Sequence, residues 1–555
     1  MSQPEEPSRS KSGGAVLVAA GILLSRVFGL VRQAAVARFF GVGPHADVVN
    51  TAFRAPNILQ NLLGEGTLSA AFIPIYSRMV AEGRREEAGR FAGAVFGLLL
   101  VAAGGLSLLG MALAKPIVAV LAAGFLNDTG PVDRYALAVA AVRIIFPMTG
   151  LLVLSAWALG VLNSHRLFFL SYVAPVLWNV AIISALVWVG GFGRVEVLPL
   201  AALDRLLFAA CWGALAGGAL QFLVQLPGVV RVLRGFRLSF STRVPGVPEA
   251  LRAFGPVVAG RGVVQLAGYL DLFLASFLMD GAPAALGYAQ QLYMLPISLF
   301  GMSVAAAELP ELARLRHGEG DADAAAGLLS RVRRSLRQVA FLNVPTFAGY
   351  LTFGYLIVGA FYRRGSFQAA GNWLVYLVLA AYTLGLLAAT SSRLLQNTFY
   401  ALGDTRRPAR IAAQRVAVSA ALAVPLMLVL DRWSVADLPG VETGSEIHLG
   451  AVGLALASGI GAWLELIWLR SALAARLTGS FLPAREMGRL LLLAVAAALA
   501  AAALWWALPP LHPLAQAALV VGGYGVAYLL LSHFMAAEEL GFWIGRFSRR
   551  LRKAE

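Results

Sequence analysis

Apolar stretches recur from residue 15 to residue 538, separated by short polar or basic connections. Most run to about 20 residues, the length a helix needs to cross the hydrocarbon core of a bilayer. Read at helical period, they predict fourteen helices near 15–40, 46–80, 88–114, 135–162, 168–191, 199–233, 249–279, 283–313, 336–362, 371–400, 409–430, 450–474, 486–508 and 513–538. The segment ahead of them, MSQPEEPSRSKSGG, is polar. The apolar run after it is too long for the core of a signal peptide and is interrupted by Arg26, so it reads as a retained helix. The expected fold class is an all-α polytopic membrane protein.

Two of these helices carry charge where lipid disfavours it. The first holds Ser25, Arg26, Gly29, Arg32 and Gln33 within about 120° of one face. In the second, Asp47, Asn50, Arg54, Asn57, Asn61 and Glu65 are spaced 3, 4, 3, 4 and 4 apart, which confines them to an arc of roughly 80°. A guanidinium at mid-bilayer costs about 2.5 to 3.5 kcal/mol on an insertion scale, so such residues face water, a partner or a ligand. The stripes can partly satisfy one another, with Asp47 the natural partner of one arginine. One or two carboxylates cannot neutralise Arg26, Arg32 and Arg54 together, however, and the surplus suits an anionic ligand. Arginine fits that role because its planar fork binds phosphate in a bidentate way and stays charged. Pro56 and the Gly64-Glu65-Gly66 segment should bend the second helix, since proline removes a ladder hydrogen bond and glycine is permissive. Gly29, Pro56, Gly64 and Gly66 are the candidate hinge positions, whether the bend is static or moves.

Composition narrows the class. Hydrophobic residues make up 59% of the 555 and charged residues 13%, against about 25% charged in soluble domains, and mean hydropathy is +0.74. The net charge of +16 is almost all arginine, with lysine only at Lys11, Lys115 and Lys553. Basic clusters near residues 78–90, 231–243, 314–337, 406–410, 470–485 and 546–553 each follow an even-numbered helix. That is the positive-inside pattern rather than a nucleic-acid footprint, and it places both termini in the cytoplasm; Arg363 and Arg364 are the exception. Cys211 is the only cysteine, which excludes an internal disulfide or a cysteine-rich metal centre. The histidines show no metal-ligand spacing, and there is no phosphate-binding P-loop. No long outer loop offers room for a catalytic carboxylate site. The chain therefore reads as a transporter without catalytic residues, metal or cofactor, driven by the membrane potential or an ion gradient.

An internal repeat organises the helices. AAFIPIYSR at 70–78 closes the second and AAELPELAR at 306–314 closes the eighth, with the Ala-Ala pair, the proline and the final arginine at equal offsets. An offset of about 235 sets Arg261 of the seventh helix against Arg26 of the first. Six helices per repeat preserve orientation, which predicts two pseudo-symmetric parallel lobes suited to alternating access around a central cavity. The expected division is a polar tail (1–13), an N-terminal lobe (14–235), a C-terminal lobe (245–475), two extra C-terminal helices (484–540) and a basic tail (541–555).

Several motifs carry a resemblance. Ser25-Arg26-Val27-Phe28-Gly29, Arg32 with Ala37-Arg38 and Phe40-Gly41, Asp47, Pro56-Asn57 and Gly64-Glu65-Gly66 come first. Leu162-Asn163-Ser164, APVLWN at 174–179, Arg364-Gly365-Ser366-Phe367 and FYALGDT at 399–405 with Pro408 follow. In order and over nearly the whole chain, these resemble the MurJ (MviN) lipid II flippases. The resemblance implies the multidrug/oligosaccharidyl-lipid/polysaccharide exporter fold, with helices 13 and 14 adding a groove for a lipid tail. It implies lipid II as substrate, an undecaprenyl pyrophosphate bearing the peptidoglycan disaccharide-pentapeptide. This would be moved between leaflets of the bacterial inner membrane, among membrane lipids and beside the cell-wall synthesis machinery. It assigns cavity roles to Ser25, Arg26, Arg32, Asp47 and Asn179, to which the polar stripe adds Arg54 and Asn57. The chain departs from the family pattern at Gln33, at Gln60 and, more seriously, at Gln291, where an arginine is expected; Arg261 is the candidate to replace that charge. Asp271 occupies a position some relatives use for sodium, but the matching eleventh-helix positions are Ser419 and Ala423, and alanine has no side-chain oxygen. The rival readings are an exporter of another lipid-linked oligosaccharide or of drugs, a membrane-embedded cell-wall glycosyltransferase, and a non-transporting scaffold.

Overall fold

A computed structural model describes residues 10–57, 60, 63–193, 198–301, 321–438, 441, 447–475, 484–509, 511–535 and 539–541. Among them the regular structure is helical, apart from one isolated bridge between Ser434 and His448. Nine helices of the described residues are each long and apolar enough to span a bilayer, and a bent pair makes a tenth. The chain divides into two compact units, Met1–Ala284 with Arg364–Phe367 and Ala285–Arg363 with Gln368–Glu555.

Unit 1 opens with α1 (Ser10–Phe40), which runs unbroken through Gly29. The second predicted helix is not continuous. It consists of α2 (Pro44–Arg54), α3 (Glu65–Ala71) and α4 (Ile73–Ala81), with a break beginning at Ala55 and Pro56. Gly64 is a second interruption, just ahead of α3: a Cβ there would lie 2.2 Å from the carbonyl oxygen of Gln60, so any side chain would displace the backbone. Past the interruption at Ala55 and Pro56, Asn57, Gln60 and Leu63 are again helical, with the N–H of Gln60 on the carbonyl of Pro56 at 3.3 Å, so the polar arc runs along α2 from Asp47 to Arg54 and its continuation is offset by that interruption. There follow α5 (Arg85–Ala112), α6 (Ala114–Leu121), α7 (Arg134–Ser164), α8 (Phe168–Gly190), α9 (Leu200–Leu223), α10 (Leu226–Val232) and α11 (Val247–Ala275). Helix α7 is apolar on most of its surface, with Arg143 exposed, and such a helix belongs in a bundle core. It packs against α2, α5 and α9, and Val142, Ile145, Val153, Trp157 and Val161 are buried along it. The Trp157 indole donates to the carbonyl of Ala92 at 3.1 Å, satisfying its one polar atom.

Helix α12 (Ala282–Pro296) ends in a π turn, Ile297–Gly301. Unit 2 continues with α13 (Asp321–Tyr362), far longer than the expected 336–362, then α14 (Ala369–Leu384) and α15 (Leu386–Ala401), which meet at a 41° bend. The last four are α16 (Arg406–Leu430), α17 (Gly450–Ala474), α18 (Ala484–Ala507) and α19 (Pro513–Met535). The second copy of the sequence repeat, 306–314, lies outside the described residues.

The last two helices pack on each other and on α13. Pro345 inside α13 has no N–H to donate to the carbonyl of Phe341, four residues back. In lipid an orphaned carbonyl is costly, and the Tyr528 hydroxyl of α19 donates to it at 3.0 Å, while that of Tyr524 donates to the carbonyl of Pro345 at 2.7 Å. The same device recurs where Pro296 frees the carbonyl of Leu292, which accepts the Tyr350 hydroxyl at 2.9 Å. Leu492, Leu499, Trp506 and Phe534 on α18 and its neighbour are largely exposed, as a hydrocarbon-facing surface requires.

Candidate functional site

Helix α1 carries the cationic face. Arg26 is exposed and Ser25 half-buried, with Arg32 about two turns further along. Helix α8 packs along α1, and Trp178 sets its ring beneath the Arg32 guanidinium, 4.7 Å from the centroid. Such cation–π contacts hold a desolvated guanidinium without neutralising it. Trp178 is fixed in turn by the ring of Phe53 at 6.1 Å and by donation of its indole N–H to the Met148 sulfur at 3.0 Å. Its neighbour Asn179 is buried; the amide donates to the carbonyl of Pro175 at 3.1 Å, and Oδ1 finds no hydrogen-bond partner among the described residues. Arg54 sits half-buried at the end of α2, where its carbonyl accepts the Tyr269 hydroxyl at 3.2 Å. Asn57 is exposed just past the break.

Asp47 is placed differently from expectation. It is fully buried, and its carboxylate accepts the N–H groups of Gly281 at 2.7 Å and Ala284 at 2.9 Å, at the start of α12. Its cationic partner is not Arg26, Arg32 or Arg54 but Arg134, at 3.3 Å. The Arg134 guanidinium also meets Asp280 at 2.9 Å, binds Asp128 through Nε, and covers the Phe125 ring at 4.6 Å. In the loop before α12, burial pushes the Asp280 carboxyl above the usual carboxylate range; Arg134 opposes that shift and Asp128 adds to it. Asn50 donates to the carbonyl of Pro283 beside this cluster. Nearby on α2, buried His45 pairs with Asp204 at 2.9 Å. Asp47 thus ties α2 to α7 and to the first turn of α12.

Asp271 is half-buried on α11 and Gln291 half-buried on α12. Arg261 lies on α11, but its side chain is outside the described residues, as are those of Glu65 and Gly66 and all of Asn61. Residues that sequence reasoning missed are Arg134, Asp128 and Asp280, and in unit 2 the set Gln396, Arg415 and Glu465. No local spacing marks them, since each pairing joins distant segments.

The family model described as "Lipid II flippase MurJ" matches residues 36–522. The chain belongs to the lipid II flippase MurJ family. A probable lipid II flippase MurJ of Rhizobium tropici is 32% identical over 460 residues, covering 82% of this chain and 79% of that one. The lipid II flippase MurJ of Burkholderia cenocepacia is 31% identical, covering 82% of each. Among solved structures, a lipid II flippase MurJ in an inward closed conformation aligns with a TM-score of 0.71 at 21% identity, over 94% of this chain and 100% of that one. A multidrug resistance MATE family transporter of the MOP superfamily, in an inward-facing conformation, aligns with a TM-score of 0.59 at 17% identity, over 84% of this chain and all of the other. These likenesses establish the fold as that of a multi-pass membrane transporter, and the MurJ family is one of transporters rather than enzymes.

Proposed function

We propose that this chain moves lipid II from the inner to the outer leaflet of the bacterial inner membrane by alternating access. The observation that carries the reading is the α1 face, where Arg26 is exposed and Arg32 is held over Trp178 inside a membrane-length helix. A charge placed there is costly unless it meets water or an anion, and a pyrophosphate is the group that arginine forks grip best. Family membership favours lipid II over a drug or another lipid-linked oligosaccharide, and transport over glycosyl transfer. In this reading both termini are cytoplasmic, the moving bodies are the lobes 14–235 and 245–475, and the product is passed to the cell-wall synthesis machinery. Ser25, Asn57 and Asn179 add hydrogen bonds to the headgroup, and the break at Pro56 and Gly64 absorbs the motion. No bond changes, so the drive is the membrane potential or an ion gradient; a charge crossing the field gains about 2.3 kcal/mol per 100 mV. Asp271 is the ion-site candidate, and Arg261 supplies the charge absent at Gln291.

The test is to deplete the lipid II flippase of a bacterial host, supply this chain, and score lipid II at the outer surface. Restored growth and surface lipid II are expected; a well-expressed chain that restores neither overturns the assignment. In the same strain Arg261→Ala is expected to abolish rescue, and unimpaired growth would remove Arg261 from the site.

A further inference from the structure

Three membrane helices of unit 2 bring charge to one depth. Arg393 lies eight residues from the Ala401 end of α15, Arg415 nine residues from the Arg406 start of α16, and Glu465 nine residues from the Ala474 end of α17. At 1.5 Å per residue each is roughly 12 to 14 Å from its helix end, well inside a bilayer. The register of the antiparallel pair α16 and α17 is set by Gly461, where a Cβ would come within 1.9 Å of the Ser419 hydroxyl. One turn away, that contact brings Arg415 opposite Glu465.

The Glu465 side chain is 2% exposed, and both its oxygens are engaged: one accepts the Gln396 amide at 2.7 Å, the other the Arg415 Nη1 at 2.8 Å. Arg415 is 33% exposed, and Glu465 is its ion-pair partner among the described residues. A guanidinium carries five N–H donors in a fixed fork, so this anchoring leaves donors pointing away from the carboxylate. Arg393 is exposed at the same level. The Tyr293 ring, stacked on Tyr382 at 5.3 Å, lies within electrostatic reach of both arginines and of Glu465. Among the described residues two cations stand against one buried carboxylate, a positive surplus in the membrane interior, and intramembrane charge of that kind marks a wet, ligand-facing position. The buried carboxylate anchors one arginine and cannot also neutralise the other.

We propose that unit 2 contains an anion site of its own, in which Arg415, anchored by Glu465 and Gln396 and assisted by Arg393, binds a phosphate of the membrane-anchored substrate. The proposal rests on the reading of an anionic lipid-linked substrate given above.

The experiment measures binding of undecaprenyl pyrophosphate to the full-length protein in nanodiscs, with inorganic pyrophosphate as competitor and thermal unfolding as the folding control. Arg415→Gln alone strands a buried carboxylate and can unfold the protein, so the informative variant is the double Arg415→Gln/Glu465→Gln, which keeps a neutral hydrogen-bonded pair. It is expected to unfold like the wild type, to bind at least tenfold more weakly, and to show a shallower salt dependence. Arg415→Lys, which keeps the charge without the fork, is expected to fall between the two. A folded double variant with wild-type affinity and salt dependence overturns the site. If Arg26→Ala/Arg32→Ala loses binding in the same assay while the unit 2 double does not, the proposed function stands and this inference fails. A wild-type protein that binds no undecaprenyl pyrophosphate, or whose binding is untouched by pyrophosphate, overturns both.

Discussion

The double replacement Arg26→Ala/Arg32→Ala is expected to abolish lipid II translocation while leaving the fold intact. Hydrogen bonds to charged groups contribute about 1.5 to 3 kcal/mol each, so losing even one such bond from each arginine removes roughly 3 to 6 kcal/mol, on the order of a hundredfold to ten-thousandfold in binding. The structural cost is small by comparison. Arg26 is exposed, and the contact of Arg32 with Trp178 is a term of about 0.5 to 2 kcal/mol. Arg32→Lys separates charge from geometry: a compact ammonium can lie over the Trp178 ring but cannot bind a phosphate through two parallel donors, so intermediate transport is expected. The readout is surface lipid II in the depleted host, alongside thermal unfolding of the purified variants. A double variant that folds normally and transports at the wild-type rate would remove the α1 face from the mechanism.

What the sequence disclosed, and what it concealed, follows from where each signal resides. Spans were legible because lipid demands about 20 apolar residues in a row, a property of local composition. The α1 arginines were legible for the complementary reason, as charge inside such a run. The break at Pro56 was visible because proline and glycine act on their own backbone. The bend at Gly385 was not, since a lone glycine within a helical pattern does not announce a 41° turn. The length of α13 was hidden because its first turns carry Arg331, Arg333 and Arg334, which read as loop until the helix is seen to extend through them. That Asp47 would pair with an arginine was legible, but which arginine was not. Arg134 is 87 residues away, and the other donors are backbone N–H groups of Gly281 and Ala284, which have no side-chain signature. Arg415 and Glu465 escaped notice for the same reason: each is a lone charge on its own helix, and only the crossing of α16 and α17 makes them a pair.

That hidden cluster carries the largest expected effect on stability. Arg134→Ala is expected to cost about 3 to 5 kcal/mol, the range for breaking a buried ion pair by removing one partner, because Asp47, Asp128 and Asp280 all share that guanidinium. Asp47 keeps its two backbone donors, so the loss falls mainly on Asp128 and Asp280, and Arg134→Ala/Asp280→Asn should recover part of it by removing one of the stranded charges. The dependence on pH has a definite sign. A carboxyl whose folded-state pKa is raised, as burial raises that of Asp280, contributes stability that is present at low pH and is lost as pH rises through the folded value. Arg134 opposes the shift in the wild type. Without it the Asp280 carboxyl moves higher, and the penalty for ionising it near neutral pH grows. The gap in unfolding temperature between Arg134→Ala and wild type should therefore be wider near pH 8 than near pH 5, and Asp280→Asn should flatten that difference. Thermal unfolding of the three purified variants across this range is the measurement. An Arg134→Ala protein that melts with the wild type at both ends would mean that the carboxylates around Arg134 do not depend on it.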